Sequence, residues 1–323
     1  MIVCVSHFLA IAALVLQATA ALAHTAYPSR PIRIVVPFAA GSQADITARL
    51  VGAKLSDAVK QPVFIENIPG ASGNIGGEVV ARSAADGYTL LQGGSLITLL
   101  PALSVATVVD PVTAYAPVAK FAEPRMLIMV NASLGVSTLA ELLARARRER
   151  GRVAYATAGI GTVQHLAMAM IAQKAGVELL HVPYANSGLA LKDVLSGEVP
   201  VYVSFLGPLN AQVQSGQLKG LAVVSTQRIA AFPDIPTVVE LGYPEAAVAP
   251  WNGILAPAGT PAEIVGLLNR EFARIVELPD VRDRFAQMGM VPLAPTPADF
   301  AADIREWVAR WPAIVKSVGI APK

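Results

Sequence analysis

The sequence predicts an α/β protein built from two similar lobes. Three observations carry that prediction. Short β-rich runs alternate with helical stretches, the pattern of parallel sheets covered by helices. Most of the runs are continuously apolar, as strands buried on both faces are. A strand–glycine–helix junction also occurs twice, as "VPFAAGSQADI" at 36–46 and as "AYATAGIGTVQHL" at 154–166. The 323 residues suffice for about two domains with a large core.

The first 23 residues contain no Asp, Glu, Lys or Arg, and the run from Phe8 to Leu16 is wholly apolar. "ALA" at 21–23 has the small-x-small form that a signal peptidase accepts, so a secretory signal cleaved after Ala23 is expected. Gln17 and Thr19 interrupt the run before it reaches the ~20 residues of a membrane span. The segment lacks the usual positive residue at its start. Its Cys4 is the only cysteine, so the mature chain is expected to hold no disulfide or thiolate-bound metal, and to reside in the periplasm.

Strands are expected at "IRIVVPF" (32–38), "PVFIEN" (62–67), "YTLLQGG" (88–94), "MLIMVN" (126–131), "RVAYAT" (152–157), "ELLHVPY" (178–184), "VPVYVSF" (199–205) and "LKGLAVVS" (218–225). After Ser42, the residues Ile46, Leu50, Ala53 and Val59 recur at helical spacing and mark the expected buried face. "TLAE" (138–141) is a capping box opening a helix that "RARRER" (145–150) closes, where cations suit the helix dipole. No aromatic residues interleave with those arginines, which argues against a nucleic-acid surface. The net charge of +2 says little else. "TPAE" (260–263) and "TPAD" (296–299) each predict Thr as N-cap, Pro at the first helical position and an acid at the third.

The two loops share a logic. Gly41 permits a tight turn, Ser42 to Asp45 fits a capping box, and Thr162 is the expected N-cap after Gly159 and Gly161. Free N–H groups at such helix starts suit an anion. Two of them in similar lobes imply a cleft that clasps a small anion. A nucleotide is not expected. "GIGTVQ" lacks the third glycine of the dinucleotide fingerprint, and no phosphate-loop motif occurs.

Catalytic signatures such as H-E-x-x-H and G-x-S-x-G are absent, and no cluster has metal-ligand spacing, so neither a cofactor nor a metal is expected. His165 is read as bracing its loop, touching ligand, or serving as a base. His181, in an apolar run, is read as a core or hinge residue. Asp45 is read as a helix cap or a ligand contact.

Over nearly the whole mature chain the sequence resembles the Bug family, the periplasmic solute receptors of tripartite tricarboxylate transporters. The resemblance rests on "YPSRPIRIVVPFAAGSQADI", "PVFIENIPGASGNIGGEVVARSAADGYTLL", "AYATAGIGTVQHLA", "HVPYANSG", "LKGLAVVSTQR" and "GILAPAGTP", matched in order and spacing. It implies a type II periplasmic-binding-protein fold, or Venus flytrap. Residues 24–124 and 232–323 would form one domain and 125–231 the other. It also implies that a ligand carboxylate is held by the loop from Phe38 to Asp45, through Phe38, Ala40, Gly41, Ser42 and Asp45. Thr157, Gly159, Gly161, Thr162 and His165 would hold it from the other side, with Ser95 and Ser204 as further cleft-facing groups. The partners implied are a small organic acid and the membrane components of the transporter, with the receptor acting as a monomer. A receptor for a signalling partner, or a secreted enzyme acting on an organic acid, are the alternative readings. The sequence departs from the family at Ala39, Ala40 and Ser42, where prolines and paired glycines are usual. It departs again at Ala185, where a lysine is frequent, and at Pro200 and Ser204, where aspartates are frequent. These changes point towards a less polar or aromatic carboxylate, or a neutral amide.

Overall fold

The computed structural model describes residues 27–103, 109–184 and 186–320. The expected signal segment, its cleavage point after Ala23, and Ala185 lie outside the described residues. Strands are β1 (Ile32–Val36), β2 (Val63–Asn67), β3 (Thr89–Gly94), β4 (Tyr115–Pro124), β5 (Met126–Asn131), β6 (Ala154–Thr157), β7 (Leu180–Pro183), β8 (Val201–Phe205), β9 (Leu218–Val223), β10 (Asn252–Pro257) and β11 (Met290–Pro292). Helices are α1 (Gln43–Val59), α2 (Asn74–Ala81), α3 (Ser95–Leu103), α4 (Leu139–Glu149), α5 (Val163–Ala175), α6 (Ser187–Ser196), α7 (Asn210–Gln214), α8 (Ala262–Ile275), α9 (Pro279–Gln287) and α10 (Pro297–Ser317).

The strands form two sheets, ordered β11-β4-β10-β3-β1-β2 and β7-β6-β8-β5-β9. In each, three neighbouring strands run parallel (β2, β1, β3 and β7, β6, β8), and the next strand, β10 or β5, is antiparallel. The sheets are therefore mixed rather than purely parallel. The antiparallel members are those next to the crossings between lobes: β4 leads through Arg125 directly into β5, and β10 follows the return. The two glycine loops leave β1 and β6, which hold the same position in their sheets.

The first sheet packs α1, α8 and α9 on one face, through Leu55, Leu268, Phe272 and Phe285. Its other face meets α2 and the first half of α10, through Val80, Phe300 and Ile304. The second sheet packs α4 and α5 on one face, joined there by Leu99 of α3 and by Trp307, Trp311 and Val315 of α10. Its other face carries α6, through Ala190 and Val194. Ile229, Phe232 and Ile235 pack on that second-sheet core, and Val238, Ala246 and Val248 on the other one, so the chain stays with the second lobe past residue 232.

Several local expectations hold. Thr138 caps α4 and Thr296 caps α10, each accepting the backbone N–H three residues on. Two need correction. Thr260 does not cap α8: Pro261 occupies the cap, and the Thr260 hydroxyl donates to the Pro257 carbonyl at 2.8 Å. On α1 the buried residues are Asp45, Thr47, Ala48, Val51, Gly52 and Leu55; of the expected stripe, Leu50 and Val59 are partly buried against the core, whereas Ile46 and Ala53 are exposed. The reason is close packing. A Cβ at Gly52 would lie 3.1 Å from Ile65 Cδ1, so the small residues face the sheet and let the helix approach it.

Candidate functional site

Both loops have one construction. Gly41 (φ +79°) and Gly161 (φ +76°) lie in the left-handed region that glycine tolerates best. The next residue is the N-cap: Ser42 at φ −65°, ψ 160° and Thr162 at φ −71°, ψ 158°. Each cap oxygen accepts the N–H three residues on, from Asp45 and His165, at 3.3 Å. The side chain of that same third residue reaches back. Gly41 N–H donates to Asp45 Oδ2 at 2.9 Å, and Gly161 N–H donates to His165 Nδ1 at 3.1 Å. The shared spacing Gly-Ser/Thr-x-x-Asp/His was visible in the sequence as a signal for this closure.

Asp45 is only 3% exposed and fully engaged. Besides Gly41 it accepts from Arg49 Nε at 3.0 Å and Asn67 Nδ2 at 3.0 Å. The Arg49 guanidinium, the largest cause, together with the Gly41 N–H and the Asn67 amide, outweighs the opposing effect of burial and places its pKa at about 2, well below the usual range. Asn67 Nδ2 also donates to the Phe38 carbonyl at 3.0 Å, tying the first loop to the end of β2. Sequence reading missed Arg49 and Asn67; the signal available was Arg49 four residues after Asp45 on one helix face.

In the second loop Thr157 is buried, and its hydroxyl lies 2.7 Å from His181 Nε2. Gly159 N–H donates to Thr157 Oγ1 at 3.1 Å, and the Thr162 hydroxyl donates to the Gly159 carbonyl at 2.8 Å. The His165 and His181 rings stack at 3.8 Å with 8° between planes. Burial lowers both pKa values, that of His181 to about 4 with His165 contributing, so both rings are neutral at pH 7. Because His165 Nδ1 accepts, its hydrogen sits on Nε2.

Among the described residues, the N–H groups of Gln43 and Ala44, and of Val163 and Gln164, have no acceptor. The third segment is the start of α3, where Ser95 Oγ accepts the Trp251 N–H at 2.8 Å and keeps its own hydrogen free to donate. Ser204 lies on β8 opposite Leu127 and is partly exposed. The second loop lies against α3: a Cβ built on Gly161 would lie 2.9 Å from Leu103 Cδ1, at the end of that helix. No group of His, Cys, Asp and Glu that could hold a metal occurs among the described residues.

The described chain matches, over residues 47–320, the model of the tripartite tricarboxylate transporter family receptors. It belongs to that family. The relatives of these receptors include BugT of Bordetella pertussis, 34% identical over 299 residues and covering 91% of this chain and 90% of BugT. Among solved structures, R. palustris Rpa4515 with adipate is 33% identical, with a TM-score of 0.80 over 92% of this chain and 100% of that one. MatC from Rhodopseudomonas palustris with bound malate is 29% identical, with a TM-score of 0.75 over 90% of this chain and 100% of MatC. The two-lobed fold is thus that of periplasmic binding proteins, and the chain is a solute-binding receptor of the family.

Proposed function

We propose that this receptor captures a small carboxylate between the two glycine loops and delivers it, as a monomer in the periplasm, to the membrane components of a tripartite tricarboxylate-type transporter. The observation that carries the reading is the placement of two helix starts, each with unpaired N–H groups, at equivalent strand ends in the two lobes. The adipate and malate held by the relatives agree with it.

The roles divide by where each donor's hydrogen already goes. Gly41, Asp45, Thr157, Gly159, Gly161 and Thr162 spend their polar groups on closing the loops. The ligand-facing donors are then the N–H groups of Gln43, Ala44, Val163 and Gln164, the hydroxyls of Ser42 and Ser95, and the Nε2–H of His165. Phe38, Ala40 and Ser204 border the same space.

A thermal-shift panel of aliphatic and aromatic acids with their matching amides tests the reading. A ligand at ~100 times its dissociation constant stabilises the fold by ~2.7 kcal/mol. Shifts produced only by sugars or cations would sink the carboxylate assignment. N-terminal sequencing of periplasmic material tests the location, the expected start being "HTAYPSRP".

A further inference from the structure

Four large apolar side chains stand in solvent at the carboxyl ends of the parallel strands. Ile46 is 38% exposed, Ile75 48%, Ile160 54% and Leu189 57%. Ile46 and Ile75 belong to the first turns of α1 and α2, after the paired strands β1 and β2. Ile160 lies in the loop before α5, and Leu189 in the first turn of α6, after the paired strands β6 and β7. Ligands of open α/β sheets bind outside these strand ends. The second-lobe loop lies against the end of α3, a helix that leaves β3 of the first sheet and packs through Leu99 on the second-lobe core, so α3 links the strand-end regions of the two lobes.

The described turns themselves, residues 37–46, 68–75, 157–165 and 186–189, contain no lysine or arginine. Their one carboxylate, Asp45, is bound to Arg49, and their one histidine is neutral. Backbone N–H groups can hold one carboxylate, but a second would meet no cation in these turns.

We infer that the ligand is a monocarboxylate with an apolar body, seated against Ile46, Ile75, Ile160 and Leu189. This rests on the receptor reading above and narrows it. It departs from the dicarboxylates seen with Rpa4515 and MatC.

The test is calorimetric titration of the mature receptor with hexanoate, benzoate and adipate, hexanoate and adipate having equal carbon counts. At least one monocarboxylate binds about tenfold or more tightly than adipate, because burying a second, unpaired charge is costly. Ile160→Ser narrows that gap, and Ile160→Lys reverses it by supplying a cation for the distal carboxylate. Melting curves of both variants establish that they are folded. Adipate binding as well as or better than both monocarboxylates overturns this inference and leaves the receptor reading standing. Titration by none of the three, with a shift from sugars or cations instead, overturns both.

Discussion

Alanine at Gly41 and at Gly161, introduced one at a time, separates backbone strain from packing of the second loop on α3. The two glycines have nearly the same φ, +79° and +76°, and each donates its N–H to the side chain four residues on. A left-handed conformation costs a non-glycine residue ~1–2 kcal/mol, so both variants should lose about that much. Their surroundings differ. A Cβ at Gly41 meets nothing within 4 Å, whereas at Gly161 it lies 2.9 Å from Leu103 Cδ1 and 3.0 Å from Cδ2. Relieving that contact requires Leu103 to shift, and overpacking of this kind costs ~1–3 kcal/mol. Leu103 is partly buried at a helix end and can yield, which favours the low end. Gly161→Ala should therefore be the less stable variant by ~1 kcal/mol in urea unfolding. Leu103→Ala placed in the Gly161→Ala background should recover that extra loss, giving a coupling of ~0.5–3 kcal/mol. Equal losses for the two alanine variants, or no coupling to Leu103, would refute packing of the loop on α3.

Asp45→Ala leaves Gly41 N–H, Asn67 and Arg49 without their shared acceptor, and should cost ~1–3 kcal/mol in urea unfolding. The wild-type carboxyl titrates lower in the fold than unfolded. Its contribution is therefore complete above about pH 4 and is lost as the pH falls towards about 2; the variant's unfolding midpoints should show a shallower decline across that window. His181 behaves in the opposite charge sense. Its folded pKa of about 4 lies below the ordinary 6.5, so stability is full above 6.5 and falls as the pH drops towards 4; His181→Phe should flatten that limb of the stability profile. At the lobe junction, buried Arg125 pairs with Glu123 and donates to Ser225 Oγ at 2.6 Å. Arg125→Met should cost ~3–5 kcal/mol by stranding Glu123, and adding Glu123→Gln should recover much of the loss, as read by denaturant midpoints.

The sequence made the loops legible because Ser42 and Thr162 follow glycines and precede helical stretches. It did not reveal which hydrogens were free. That depends on Asp45 and His165 turning back onto the loop, and on His181 reaching Thr157 from a neighbouring strand. The eight strands read from apolar runs all exist. The three that were not read, β4, β10 and β11, are antiparallel or marginal. β4 contains Pro117 and Pro124 and mixes polar residues into its run, β10 ends at Pro257, and β11 is three residues long. Their partners are far away in sequence, so local pattern says little about them. The buried face of α1 was misread because hydrophobicity pointed to Ile46, while steric fit selected Ala48 and Gly52.

The last helix has a mechanical consequence. Phe300 and Ile304 anchor the beginning of α10 in one lobe, while Trp311 and Val315 sit in the core of the other, and Gln173 Nε2 donates to the Ser317 carbonyl at 2.8 Å. Pro312 lies inside this helix, just past the point where its allegiance changes, and it supplies no N–H to the helical ladder. The lobes are thus lashed together by a strap as well as by the chain crossings. Any swing of one half against the other must flex that strap, and the proline is where it gives most readily. The strap would limit how far the two lobes part.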